Sequence, residues 1–306
     1  MERKAPAGIL GFPVSPFTRE NTLDENALAK NIEFLIDEGL DAIFVACGAG
    51  EFNSLNRQEY EESVQLAVSV VKGRVPVYTG VGGVISEALE QSKISERLGA
   101  DGYLILPPYL VDSEQDGLYE YYRVLAQSTS LNTIVYQRGN AVLQLQTLKR
   151  LLDIPQVVGL KDGLGNMEMN IEFTQTIGCR LGWLNGMPMA EVTMPSYRPL
   201  GYNSYSSAIS NYIPHISRMF YNSLINGDKE TVHALFQDVV LPINKIRRQK
   251  KGYAVSLIKA GMEIVGLPVS NTVRPPVIPV ELEHYKQLEK ILESTFNKYP
   301  LDSKVY

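Results

Sequence analysis

Lys161 closes the run Val157-Val-Gly-Leu-Lys161, which is apolar up to the lysine. A lysine in that position has its stem among core side chains. Partial burial lowers the pKa of an amine towards neutrality and leaves it nucleophilic. Such an amine condenses with a ketone to give a Schiff base. Position alone also fits a lysine whose head snorkels to solvent. Tyr136 closes the preceding apolar run, Thr133-Ile-Val-Tyr136. Adjacent strands lie about 4.8 Å apart, so if the two runs are neighbours the phenol reaches the amine or a carbinolamine oxygen and relays protons. A tyrosine on the core rim with a satisfied hydroxyl is the plainer role. Gly48-Ala-Gly50 offers backbone N–H groups with little side chain around them. That suits a carboxylate as well as an ordinary turn.

These residues need a frame that brings them together. Short apolar or β-branched runs at 8–12, 42–46, 76–79, 102–106, 133–136, 157–161, 180–184 and 203–206 read as strands. Between them, 24–38, 57–72, 86–98, 114–127, 145–152, 167–177 and 189–198 carry helical spacing. Asp24 reads as an N-cap and Gly39 as the glycine that ends the first helix. Strands alternating with helices imply βαβ units and a parallel sheet. Eight such units in about 210 residues fit a closed (β/α)₈ barrel, a TIM barrel, better than a doubly wound sheet. The expected division is a barrel over 1–210 and a C-terminal helical extension over 211–306, packed on the barrel with no linker between them. Its helices are expected at 213–225, 229–248, 253–265 and 280–296. Active sites of this fold sit at the C-terminal ends of the strands. That rule gathers Gly48, Ala49 and Gly50 after strand 2, Tyr136 and Arg138 after strand 5, and Lys161 after strand 6. It adds Ser206 and Ser207 at strand 8.

The bulk properties narrow the function classes. The chain has 306 residues, 44% hydrophobic and 21% charged, an ordinary globular balance. Its 29 basic and 34 acidic residues leave a net charge of −5. The longest basic run, Lys245-Ile-Arg-Arg-Gln-Lys-Lys251, reads as a solvated helix face rather than a nucleic-acid patch. Two isolated cysteines, Cys47 and Cys179, read as free thiols of a reducing compartment. His215, His233 and His284 lack metal-ligand spacing, so no metal is expected. No apolar segment follows the N-terminal charges as in a signal peptide, and no window reaches the roughly 18 apolar residues of a membrane span. A cytoplasmic protein with a small-molecule substrate, and with neither nucleic acid nor membrane as partner, is the expectation.

Taken together, Pro13-Val-Ser-Pro-Phe17, Gly48-Ala-Gly-Glu51 followed by Ser54-Leu55, Val135-Tyr136 and Val158-Gly-Leu-Lys-Asp162 resemble the dihydrodipicolinate synthase / N-acetylneuraminate lyase superfamily. The likeness runs from Gly8 to about Pro279. It implies a Schiff base on Lys161, proton relay by Tyr136, carboxylate binding by the glycine turn, and a homo-oligomer, tetramer or dimer. It also implies a keto-acid substrate and no cofactor, because the lysine itself supplies the electron sink. The synthase branch usually has Thr-Thr where Gly48-Ala49 stands here, and a second tyrosine where Leu110 stands beside Tyr109. Its carboxylate-binding arginine lies five residues after the tyrosine, whereas Arg138 lies two after Tyr136. The Gly-Ala-Gly-Glu-Phe52 turn, Tyr136-Gln-Arg-Gly-Asn-Ala-Val142 and Tyr205-Ser-Ser-Ala208 resemble instead the 5-dehydro-4-deoxyglucarate dehydratase branch. That branch forms 2,5-dioxopentanoate, water and CO₂. On this reading the N–H groups of Gly48 and Ala49 hold the carboxylate beside the ketone until it departs, and Ser206, Ser207 and Asn203 take the far end of the substrate. An aldolase of the same fold that releases pyruvate, and a non-catalytic keto-acid-binding barrel, are the alternatives.

Overall fold

The computed structural model describes residues 3–301. Residues 1 and 2 of the N-terminal reading, and 302–306 of the expected extension, lie outside them. Eight parallel strands close into a barrel in chain order: β1 Gly8–Gly11, β2 Ala42–Val45, β3 Val77–Gly83, β4 Gly102–Pro108, β5 Asn132–Gln137, β6 Val157–Asp162, β7 Gly182–Asn185 and β8 Ser204–Ser207. The TIM barrel read from the alternating pattern is therefore the fold. Asp24 caps the helix Glu25–Asp37 by accepting from the Ala27 N–H, and Gly39 follows that helix with φ +72°.

Strand residues alternate between two cores. Leu10, Phe12, Ala42, Phe44, Tyr78, Leu104, Ile134 and Tyr136 fill the barrel interior. Ile43, Val45, Val135 and Leu160 face the helix layer. In β6 the alternation breaks. Thr133 pairs with Val157 but Ile134 pairs with Gly159, so Val158 is an extra, bulged residue. A bulge moves every later side chain to the opposite face. Val158 points into the barrel and Leu160 out of it. The shifted phase brings Lys161 to the interior side, paired in register with Tyr136.

Two expected helices are interrupted, each at proline. The 189–198 pattern becomes the short turns Ala190–Val192, Met194–Tyr197 and Arg198–Leu200, with Pro195 and Pro199 in opening turns. The 229–248 pattern becomes Lys229–Leu235, a π-turn at Phe236–Val240, and Leu241–Arg247 with Pro242 in its first turn. Proline has no N–H to continue a ladder, and the chain restarts around it. The helix Pro214–Asn226 packs on β1, and its Phe220 meets Tyr205 of β8. It completes the eighth βα unit, so the expected boundary at 210 falls inside that unit. The helices from Lys229 onwards form the extension. Of these, Leu241–Arg247 and Tyr253–Ile264 reach the C-terminal end of the barrel.

Candidate active site

The C-terminal mouth of the barrel holds a cavity of about 550 Å³ with Lys161 in its lining. The lysine is 6% exposed. Its Nζ stands 4.0 Å from the centre of the Phe12 ring and 4.7 Å from that of Tyr136. Phe12 in turn stacks on Phe44, and Phe44 on Tyr78, a ring column through the barrel interior. Among the described residues no carboxylate lines the cavity to hold its proton. Burial, reinforced by the Arg138 charge, pushes the Lys161 amine down to about 7. A fraction of it is then neutral, and nucleophilic, at physiological pH.

Two glycines fix the lysine and its tyrosine. A Cβ on Gly186 would lie 2.7 Å from Cγ and from Cε of Lys161, so only glycine lets the stem pass. Gly186 also donates its N–H to the Asp162 carbonyl, 2.7 Å, and accepts from the Tyr136 hydroxyl, 3.2 Å. Gly163 packs against the other side of the Tyr136 ring, where a Cβ would come within 2.9 Å. Arg138 donates from Nη1 to the same hydroxyl, 3.0 Å. Burial raises the pKa of Tyr136, and the Arg138 charge opposes that rise. The phenol thus stays protonated at neutral pH while a cation stands ready to stabilise its anion. Asp162 turns the other way, into the helix layer. There it accepts from Tyr197, Gln137, Asn170 and the N–H groups of Leu164 and Gly165, which fastens the end of β6.

Gly48 and Ala49 line the cavity. Among the described residues no backbone acceptor takes their N–H groups. Gly48 does not have positive φ, and a Cβ on it meets nothing within 4 Å. A side chain there would be unstrained and would project into open space. Gly50 is different. It is buried behind the turn, with its carbonyl accepting from Ser15, 2.7 Å. It supports the turn rather than facing the cavity. The turn is held by Glu51, a left-handed residue with φ 48°, whose carboxylate is buried and paired with Lys259 of the extension. Lys259 also donates to the Thr272 carbonyl, 2.7 Å, and the Arg274 N–H donates to Glu51, 2.9 Å. Arg274 then forks onto Glu59 at 2.6 and 2.8 Å. The extension thus clamps the turn in place.

The other expected residues divide. Ser206 lines the cavity with its side chain partly exposed. Ser207 lines it too, but its hydroxyl is spent: it donates to Glu191, 2.6 Å, and accepts from Ser217 and from the Ser210 N–H. Asn203 is misplaced in the sequence reading. It precedes β8, and its carbonyl receives the Gly8 N–H at the N-terminal end of the barrel. It lines a cleft with Gly182 and Arg180 on the opposite face from Lys161. As the first residue of the eighth run it stands at the N-terminal end of the strand, so the reading that grouped it with Ser206 and Ser207 placed it at the wrong end of the barrel. Sequence reasoning missed Phe12, Gly186, Lys259 and the buried Glu191. It also missed Arg247, Arg248, Lys250 and Lys251, which line the cavity although their run read as a solvated face. Only the unusual density of glycines after strand ends pointed to any of these.

A family model described as the dihydrodipicolinate synthetase family matches residues 5–295. This chain belongs to that family. A protein of Oceanobacillus iheyensis named "Probable 5-dehydro-4-deoxyglucarate dehydratase" is 64% identical over 301 residues, 98% of this chain and 98% of its own length. A Bacillus subtilis protein of the same name is 64% identical over 298 residues, 97% of each. Among solved structures, the dihydrodipicolinate synthase of Oceanobacillus iheyensis is 26% identical with a TM-score of 0.88, covering 95% of this chain and 96% of that one. In this family member Tyr109 and Leu110 are 64% and 85% exposed, so among the described residues no phenol of the loop after β4 joins Tyr136.

Proposed function

We propose that this protein is a lyase that converts 5-dehydro-4-deoxyglucarate to 2,5-dioxopentanoate, water and CO₂ through a Schiff base on Lys161. The observation that carries the chemistry is a buried amine near neutrality facing a cavity at the strand ends. The choice of substrate is supported by relatives of that name at 64% identity over nearly the whole chain.

Lys161 Nζ attacks the ketone carbon, and the carbinolamine loses water as Tyr136 passes a proton to its oxygen. The resulting iminium acidifies the neighbouring CH₂. Deprotonation gives an enamine, whose electron pair expels the β-hydroxyl as water. The product is an iminium conjugated to the new double bond, with the far carboxylate on its γ-carbon. Breaking the carbon–carboxylate bond there feeds its electrons through the double bond into the iminium and releases CO₂. Protonation and hydrolysis return the lysine and give the aldehyde. Loss of the carboxylate beside the ketone would instead leave electrons on the iminium carbon itself, with nowhere to delocalise. The far carboxylate is thus the one that departs, which revises the expectation drawn from the glycine turn. The N–H groups of Gly48 and Ala49 hold the near carboxylate throughout. We further propose action in the cytoplasm as a homo-oligomer. Two unpaired cysteines fit a reducing compartment. Exposed Ile85, which opens the helix after β3, and Tyr109, Leu110 and Val111 on the loop after β4 fit an apolar contact surface.

Product analysis tests the reading. With 5-dehydro-4-deoxyglucarate the protein is expected to release CO₂ and 2,5-dioxopentanoate in equal amounts. Pyruvate as the main product means an aldolase, and no turnover of this or any 2-keto-3-deoxy acid means a binding barrel. A pH profile tests the nucleophile. The neutral amine attacks, so kcat/KM rises with pH through the free-protein value of about 7. It is expected to be about tenfold lower at pH 6 than at pH 8. A flat profile across that interval means another group limits the reaction.

A further inference from the structure

The wall that the extension gives the cavity is positively charged. Arg247, Arg248, Lys250 and Lys251 line it, Arg138 lines the barrel side, and no aspartate or glutamate lines it at all among the described residues. Lys250 has a partner in Glu281. Arg247 does not. Its Nε donates to Asn244, 3.2 Å, but among the described residues no carboxylate pairs with its guanidinium. The residue is half-buried at the end of the helix Leu241–Arg247. Burial, then the charges of Arg138 and Arg248, lower its proton affinity. Like charges converging on one cavity with no anion between them repel, and an anionic ligand relieves that repulsion. The near carboxylate of a keto acid is already provided for by the turn after β2. What these cations lack is a second one.

We propose that Arg247 binds the far carboxylate of a keto-diacid and so sets this protein's preference for diacids over monoacids. The inference rests on the keto-acid reading above but is separable from the reaction. Arg247's planar fork matches a carboxylate in two hydrogen bonds. The carboxylate it holds is the one that leaves as neutral CO₂, so the contact weakens as the transition state is approached. Interactions stronger in the ground state than in the transition state lower KM without raising kcat. Arg247 is therefore a binding and specificity residue, not an accelerating one.

Calorimetric titration with adipate and with hexanoate reads the subsite without chemistry, since neither acid has a ketone and they differ by the far carboxylate. The wild-type protein is expected to bind adipate at least about tenfold tighter, as charge-assisted hydrogen bonds imply. Arg247→Gln is expected to abolish that advantage and leave hexanoate and the melting temperature unchanged. Arg247→Lys keeps the charge without the fork and is expected to fall between. With 5-dehydro-4-deoxyglucarate, Arg247→Gln is expected to raise KM by about tenfold with kcat equal or higher. The proposal is overturned if the wild-type protein binds both acids equally or binds neither. It is also overturned if Arg247→Gln leaves adipate binding unchanged, or weakens both acids alike. Diacid binding through Arg247 without CO₂ release would overturn the reaction and leave the subsite standing.

Discussion

Lys161→Ala is expected to bring turnover below about 1% of the wild-type rate, because the covalent route is lost with its nucleophile. No other amine in the cavity replaces it. Lys250 is held protonated by Glu281, and Lys250 and Lys251 are both exposed at the mouth. Irreversible labelling by borohydride in the presence of a keto acid is expected to vanish with the same change. The fold survives, since the amine accepts no structural duty beyond its contact with two aromatic rings, and relieving a desolvated amine offsets the lost packing of its stem. An unchanged melting curve alongside dead chemistry checks this. Residual activity well above 1%, or continued labelling of the Lys161→Ala protein, removes the Schiff base from residue 161.

Tyr136→Phe carries the second-largest effect. The ring stays between Gly163 and the lysine, and only the hydroxyl goes. That hydroxyl donates to Gly186 and accepts from Arg138, so it is aimed and electrostatically supported. General acid–base groups contribute roughly 10²–10⁴-fold, and kcat is expected to fall by about that factor with KM little changed. Labelling by borohydride should slow but persist, because the lysine remains. A loss under about threefold places the proton relay on another group.

Much of this architecture was legible in the chain. The eighth strand's run, Asn203-Ser-Tyr-Ser206, is polar and stands out only by its place in the alternation. Short apolar or β-branched runs separated by helical spacing marked the other seven, because parallel strands are buried on both faces. The pair Tyr136 and Lys161 was legible for the same reason: a polar residue ending such a run stands out. Which face of the barrel Lys161 takes was not. A continuous apolar run carries no alternation, and the bulge at Val158 that decides the question has no signature in a Val-Val-Gly sequence. Asn203 failed because it opens the eighth run rather than closing it, and its carbonyl receives the Gly8 N–H at the end of the barrel away from Lys161. Arg247 and Lys259 were invisible for a third reason. They act more than 80 residues away in sequence from the strand ends they serve, and a basic run reads alike whether it faces bulk water or a cavity.

The buried pair of Glu51 and Lys259 joins the second barrel strand's turn to a helix 208 residues later. Both side chains are almost fully hidden from solvent. Removing one partner of such a pair strands an uncompensated charge and costs about 3–5 kcal/mol. In a hybrid gene the barrel of one homologue and the tail of another would therefore be interchangeable only where both partners of this pair are kept. The pair works as a compatibility lock. Tails can be exchanged only among chains whose tails still fit the turn after β2.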